Sequence, residues 1–244
     1  MPRCIFCKST EAPFTTREHI LPESLGGKDW ALLPGGMFCD TCQNLFGSHV
    51  EQLALGDYPF SFLRVLLGIP TKKGKAPWVS TGEGILRGSP LQGSMGYDPS
   101  SPFIPGMDRG TKTQLRLLAY PVRPKMICRM LLKMGLETLA SDGSNDIWHA
   151  RFDAARSFAL TGRHDLPWWY IQHEDMGQLS TLARVMTSED WTNRVKLSIA
   201  EPMEQVEAFL FEYLSHTFMV PLVPSTIPPS IAELPKPEYR IFRV

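Results

Sequence analysis

The sequence predicts a mixed α+β protein that begins with a metal-binding unit. Two C-x-x-C pairs lie within the first 42 residues, on either side of a Glu-His pair. Apolar residues recur at helical spacing over 123–143 and again over 152–162. Each of these two segments ends with a glycine, Gly143 and Gly162. Beyond residue 166, runs of alternating or continuous β-formers indicate strands.

Length and composition limit the classes of protein that need to be considered. The 244 residues allow one large domain or two small ones, at roughly 100–200 residues each, and the 43% hydrophobic content supports a real core. No apolar run approaches the ~18 residues of a membrane-spanning helix. The polar start, MPRCIFCKST, does not resemble a secretory signal. We therefore expect a cytoplasmic protein with reduced thiols and no membrane partner.

The two cysteine pairs predict a structural zinc site. They comprise Cys4, Cys7, Cys39 and Cys42. In a reducing compartment this spacing indicates metal binding rather than disulfides, and four thiolates suit tetrahedral Zn²⁺, with an iron–sulfur cluster as the alternative. A closed shell of four cysteines leaves no open position for chemistry. The fifth cysteine, Cys128, lies within a predicted helix and is expected to be a free buried thiol.

The segment between the two pairs carries the candidate chemistry. Glu18 and His19 are followed by turn residues, Pro22 and then Gly26-Gly27. In a strand or strand end, neighbouring side chains point to opposite sides, which suits one metal ligand and one base better than two ligands of a single metal. The alternative is a non-catalytic zinc-binding module that docks nucleic acid or a protein, with an incidental histidine.

The order of these motifs over residues 4–55 resembles the HNH endonucleases, which are ββα-metal nucleases. The motifs are CIFC from Cys4, EHILPESLGG from Glu18, CDTCQN from Cys39, FG from Phe46 and the single Glu51. The resemblance implies a treble-clef-like ββα-metal unit that hydrolyses DNA phosphodiester bonds with Mg²⁺ or Mn²⁺. RNA is not excluded as a substrate. Such nucleases occur in phage, mobile-element and anti-phage settings.

The resemblance also implies roles for individual residues. His19 would be the general base, and Glu18 would bind the catalytic cation together with an amide from the helix after the second cysteine pair. The family has Asn directly after the last cysteine, whereas this chain has Gln43 there and Asn44 next. Asn44 is the expected ligand, with Gln43 and His49 as alternatives. Because of this departure from the family pattern, a weakened or inactive nuclease is an alternative.

Charge and composition divide the chain into three parts. We expect a nuclease unit over 1–58, a basic Gly/Pro-rich arm over 59–113, and a mixed α/β region over 114–244 that selects the substrate, binds a regulatory protein or forms a homodimer. Net charge is zero overall, but 60–135 carries +9 between an N-terminal part at −3 and a C-terminal part at −6. A basic surface of this kind predicts phosphate contacts. The candidate contacts are Lys72, Lys73, Lys75, Arg87 and Arg109.

Three further expectations concern the second half of the chain. Residues 114–120 are predicted to form a strand. Trp168 and Trp169 are expected in the core rather than as base-stacking platforms. The Pro-rich tail, 224–244, is expected to lie extended on the surface.

Overall fold

The computed structural model describes ten stretches of the chain. They are 1–71, 74–81, 84–89, 95–100, 120–143, 145–165, 167–175, 194–200, 206–234 and 238–244. Three predicted phosphate contacts, Lys72, Lys73 and Arg109, fall outside them, as does nearly all of the strand predicted at 114–120.

The N-terminal unit is a short hairpin followed by an interrupted helix. The hairpin is a single antiparallel bridge between His19 and Leu32, with two 3₁₀ turns, Glu23–Leu25 and Asp29–Ala31, in the connection between them. Its helical elements are, in order, α1 (Asp40–Phe46), a π turn (Gly47–Glu51) and α2 (Gln52–Leu55).

A third helix and a small sheet come next. The apolar run after Pro59 forms α3 (Phe60–Leu67), which buries most of its side chains and ends where Gly68 adopts a left-handed φ of 64°. Three antiparallel strands follow in the order β1-β2-β3. The strands are β1 (Trp78–Ser80), β2 (Gly84–Gly88) and β3 (Met95–Pro99).

Two predicted helices are confirmed in the second half. The first, α4 (Pro124–Ser141), starts with proline in its first turn, and the second, α5 (Asp153–Thr161), ends at Gly162. Helix α4 differs from an ordinary amphipathic helix because every residue from Ile127 to Ala140 is buried. It packs against the helical N-terminal unit, against α5 and against the large sheet.

The large sheet has five antiparallel strands in the order β5-β6-β7-β4-β8. They are β4 (Trp169–Glu174), β5 (Val195–Ala200), β6 (Ala208–Tyr213), β7 (His216–Pro221) and β8 (Tyr239–Arg243). Trp168 and Trp169 are buried, as expected. The described chain is therefore a mixed α+β structure with a helical N-terminal region and antiparallel sheets.

The tail lies largely at the surface, as expected, but it is not an irregular extended segment. Its last residues form β8, which pairs with β4, and a short helix α6 (Pro229–Ala232) buries Ile231 against the sheet. The physical reason is that β4 would otherwise present an unpaired edge, whose N–H and C=O groups need partners.

The core is continuous from the first cysteine pair to the large sheet. A single buried cluster runs from Cys4 to Leu222. Direct contacts cross it: the Tyr213 hydroxyl donates to Leu25 O at 3.0 Å, and Arg156 Nε donates to Ile5 O at 2.7 Å. The three sequence-based boundaries stay a prediction, but the parts they delimit share this core. Among the described residues, no helix has the length and apolar character needed to cross a membrane.

Substitution of Gly135 tests how closely α4 approaches the sheet. A Cβ atom at Gly135 would lie 2.7 Å from Phe209 Cβ and 2.8 Å from Leu222 Cδ2. We expect Gly135→Ala to lower the free energy of unfolding by about 1–2 kcal/mol, because overpacking outweighs the usual gain from alanine in a helix. Chemical denaturation measures the change.

Gly47→Ala is the matched control. Gly47 has helical φ and ψ, and a Cβ there would meet nothing within 4 Å. The free energy of unfolding of this variant should rise by about 0.5–1 kcal/mol. Equal effects at the two glycines would contradict the close packing of α4.

Candidate metal centre and active site

The four predicted zinc ligands come together. Each of Cys4, Cys7, Cys39 and Cys42 offers one sulfur, and these atoms all lie within 4.8 Å of one another. The sulfurs of Cys7 and Cys39 are 3.7 Å apart. A tetrahedron with Zn–S bonds of about 2.3 Å has sulfur–sulfur edges of about 3.8 Å, so the cluster could hold a structural zinc.

The backbone holds both cysteine pairs in place. Cys4 accepts from Lys8 N and donates to Ser9 O, both at 2.9 Å, while the second pair spans the start of α1. A hydrogen bond from Cys42 lowers the pKa of Cys4 to about 4, whereas burial raises that of Cys39 to about 11. The cluster therefore already favours one thiolate, which is the form of cysteine that binds metal.

Glu18 and His19 occupy the hairpin strand and face different surroundings. Leu33 N donates to Glu18 O at 2.9 Å, and Ile20 N donates to Ala31 O at 2.7 Å, which fixes the strand on both sides of His19. Glu18 is 8% exposed, whereas the His19 side chain is 20% exposed, with Nδ1 3.9 Å from Glu23 Oε1. Water can thus reach the imidazole while the carboxylate faces the interior.

The turn after His19 requires its second glycine. A Cβ at Gly27 would lie 1.8 Å from the carbonyl oxygen of Leu21. This close approach explains the glycine at position 27, since the chain there folds back against the backbone of Leu21.

Asp40, the first residue of α1, fixes the loop that leads into the Glu-His pair. Its carboxylate accepts hydrogen bonds from the backbone N–H and the hydroxyl of both Thr15 and Thr16. The hydrogen bonds from Thr15 and Thr16 lower the pKa of Asp40 to about 2. The helix that begins at the second cysteine pair therefore also positions the strand that carries Glu18.

Both oxygens of Glu18 have specific partners. Gln43 Nε2 donates to Oε2 at 2.8 Å and to the carbonyl of Arg17 at 3.0 Å. The ammonium of Lys133 donates to Oε1 at 2.6 Å. Glu18 also lines an open cleft of about 240 Å³ next to the hairpin. The carboxylate is thus held from two directions.

Lys133 is the centre of a buried charge cluster that sequence reasoning missed. Its side chain is 1% exposed and lies 2.9 Å from Glu51 Oε1 and 3.0 Å from Glu137 Oε2, besides Glu18. Burial alone would lower the pKa of Lys133, but the charges of Glu137, Glu18 and Glu51 raise it well above its usual value. The only sequence signal was a Lys-Glu pair four residues apart, a spacing that usually indicates a solvated helix face.

A π turn lets Gln43 and Glu51 both contact the Glu18–Lys133 ion pair, Gln43 through Glu18 and Glu51 through Lys133. In a regular helix, residues seven apart share a face, which would align Asn44 with Glu51. The π turn over Gly47–Glu51 adds one residue, so Gln43 and Glu51 point the same way despite their separation of eight. Gln43 reaches Glu18, and Glu51 reaches Lys133.

The remaining predicted site residues are more peripheral. Asn44 and His49 are exposed, and the hydrogen bonds of the described residues join Gln43, not Asn44, to Glu18. Lys75 is exposed, whereas Arg87 pairs with Asp98 at 2.5 Å. Of the basic residues counted over 60–135, Arg129 and Lys133 are buried and cannot contribute to a basic surface.

Comparison with known proteins identifies one family. Residues 4–57 match the family model described as HNH endonuclease, which confirms the resemblance inferred from the motifs. The match covers less than a quarter of the chain and includes the four-cysteine cluster, Glu18 and His19. No curated protein and no solved structure matches the chain significantly.

Zinc content tests the metal centre directly. We expect about one zinc per purified chain and its loss in Cys42→Ala, with a cooperative loss of structure in the N-terminal unit because metal binding supplies folding free energy. Cys128→Ala is the matched control, since Cys128 is also fully buried but lies outside the cluster. Elemental analysis measures the metal, and full zinc retention in Cys42→Ala would contradict the assignment.

Proposed function

We propose that this protein is a metal-dependent endonuclease that cleaves DNA with a ββα-metal active site. The observation that carries the proposal is the Glu18–Gln43 hydrogen bond, which joins the Glu-His strand to the helix that follows the second cysteine pair. The match of residues 4–57 to the HNH endonuclease model implies a nucleic acid substrate. The four-cysteine cluster, with no open position, is left with a structural role.

His19 is the proposed general base. Its imidazole is partly exposed, so a water molecule can approach it, and histidine is the side chain that most often acts as a general base. The Glu23 carboxylate lies on the Nδ1 side of the ring, 3.9 Å away and beyond hydrogen-bond distance. Because Glu23 lies on the Nδ1 side, Nε2 is the proposed acceptor of the proton from water.

Glu18 and Gln43 are the proposed ligands of a catalytic Mg²⁺ or Mn²⁺. Hard cations of this kind take oxygen ligands and bind through one or two carboxylates, with waters and phosphate oxygens completing the shell. The two side chains are in direct contact, but Gln43 meets Glu18 through its Nε2 amino group, so the amide would turn its Oε1 toward the cation when the cation binds. When bound, the cation would neutralise charge on the scissile phosphate and assist the leaving group. Asn44 remains the amide expected from the sequence, but the contact with Glu18 favours Gln43.

The proposed basic contacts would hold the nucleic acid without reading its sequence. Exposed Lys75 is the best supported of them, since Arg87 is already paired with Asp98. Contacts to phosphate position the duplex and make binding depend on salt. The choice of DNA over RNA is part of the proposal.

A non-catalytic zinc-binding module that docks nucleic acid is the second candidate. The observation in its favour is that both Glu18 oxygens already have partners, one of them the positive charge of Lys133. This ammonium opposes entry of a second cation. The two candidates differ in whether His19 performs chemistry.

Plasmid nicking by His19→Ala tests the hypothesis that the protein is an endonuclease with His19 as its general base. Loss of a general base should lower the rate by about 10²–10⁴-fold, while zinc content and folding stay unchanged. His149→Ala is the control, because His149 is exposed and lies outside the proposed site. A wild-type protein that cleaves neither DNA nor RNA with Mg²⁺ or Mn²⁺ would support the non-catalytic module instead.

A second pair of variants decides which amide serves the catalytic cation. We expect Gln43→Ala to lower the cleavage rate at least about tenfold and to raise the Mg²⁺ concentration needed for half-maximal rate, because it removes an oxygen ligand. Asn44→Ala should stay within about threefold of wild type, since its side chain is exposed. The reverse ranking would restore Asn44 as the ligand.

A further inference from the structure

The charge cluster around Lys133 lies where the N-terminal unit meets α4. Lys133 is 115 residues from Glu18 in sequence, yet its contact with Glu18 is the shortest of its three ion pairs at 2.6 Å. The ammonium also lies 5.5 Å from the ring centre of Phe38, the residue directly before the second cysteine pair. The cluster therefore touches the active-site strand and the segment beside the zinc site together.

Lys133 is held rigidly enough to fix the position of another side chain. Helix α4 is buried along almost its whole length, and its start is tied to the N-terminal unit because Asp57 accepts hydrogen bonds from the N–H groups of Val122 and Arg123. Farther along α4, Gly135 packs against Phe209 and Leu222. The ammonium between these two anchors has little freedom to move away from Glu18.

We propose that Lys133 is a positioning residue for the cleavage reaction, which fixes Glu18 so that Oε2 faces Gln43. This inference rests on the proposed function. With Oε1 held by Lys133, the carboxylate cannot rotate freely, and its second oxygen stays where the amide of Gln43 meets it. Helix α4 therefore completes the site of the N-terminal unit, and residues 1–58 do not contain the whole of it.

The charge of Lys133 predicts opposite effects on metal affinity and on turnover. An ammonium beside a metal ligand repels a divalent cation, so its removal should strengthen binding of the metal alone. A carboxylate that has lost its support is misplaced in the reacting complex, and small misplacements are costly for the rate. A purely structural residue would not move the two quantities in opposite directions.

The test compares two variants of the full chain. Glu137→Gln is the reference, because it removes one of the buried carboxylates that Lys133 neutralises. Lys133→Met/Glu137→Gln then removes the ammonium with fewer uncompensated charges left in the core. Relative to the reference, we expect the dissociation constant for Mn²⁺ without nucleic acid to fall about tenfold. The value of kcat at saturating Mn²⁺ should fall about tenfold or more. Electron paramagnetic resonance of free Mn²⁺ measures the first and plasmid nicking the second.

A conservative replacement covers the case in which the methionine variant does not fold. Lys133→Gln in the Glu137→Gln background keeps a donor for Glu18 but removes the charge, so it should bind Mn²⁺ more tightly and keep a larger part of kcat. Failure of both variants to retain zinc and structure would overturn the positioning role in favour of a structural one.

The outcomes separate this inference from the proposed function. If wild type cleaves and removal of the ammonium leaves kcat unchanged, or lowers kcat and Mn²⁺ affinity together, the positioning role is overturned and the nuclease stands. If wild type does not cleave at all, the proposed function fails and the positioning role fails with it.

Discussion

The ion pair between Glu18 and Lys133 is the constraint on which the arrangement of the site depends. A buried ammonium must be neutralised, and Lys133 has three carboxylates for that purpose, from the hairpin, from the π turn and from its own helix. Burial first, and then the neighbouring carboxylates of Glu18 and Glu51, raise the pKa of Glu137 well above its usual value even though Lys133 acts in the other direction. Of the three carboxylates, Glu18 lies closest to the ammonium, at 2.6 Å.

The four-cysteine cluster and the candidate active site have different roles in the N-terminal unit, the first structural and the second chemical. Four cysteines fix the start of the chain against α1, and Asp40 on the same helix fixes Thr15 and Thr16 ahead of Glu18. The cysteine cluster has no role in chemistry in this account, but it supports the geometry on which the chemistry depends. Because the core continues into α4 and the large sheet, the unit is also supported from the far end of the chain.

Local patterns predicted much of this structure, and contacts between distant segments did not follow from them. The cysteine spacing predicted the cluster, and apolar periodicity predicted α4 and α5, because these features depend on residues a few positions apart. The role of Lys133 could not be predicted, since nothing local distinguishes a buried Lys-Glu pair from a solvated one. The strand at the end of the tail was not predicted for a similar reason: β8 forms because β4 offers it an edge, and that edge exists only in the folded sheet. The preference for Asn44 came from the residue type expected by resemblance, whereas the contact of Gln43 with Glu18 and the π turn over Gly47–Glu51 are visible only in the folded chain.

A double-mutant cycle on unfolding tests the central interaction most directly. The variants are Glu18→Gln, Lys133→Met and the combination, measured by chemical denaturation at neutral pH with zinc bound. Breaking a buried pair from one side typically costs about 3–5 kcal/mol because the other charge is left uncompensated. The account predicts that the double variant loses less than the sum of the two single losses, with a coupling energy of about 2 kcal/mol or more. Additivity within about 0.5 kcal/mol would show that Glu18 and Lys133 act independently, and would contradict the account.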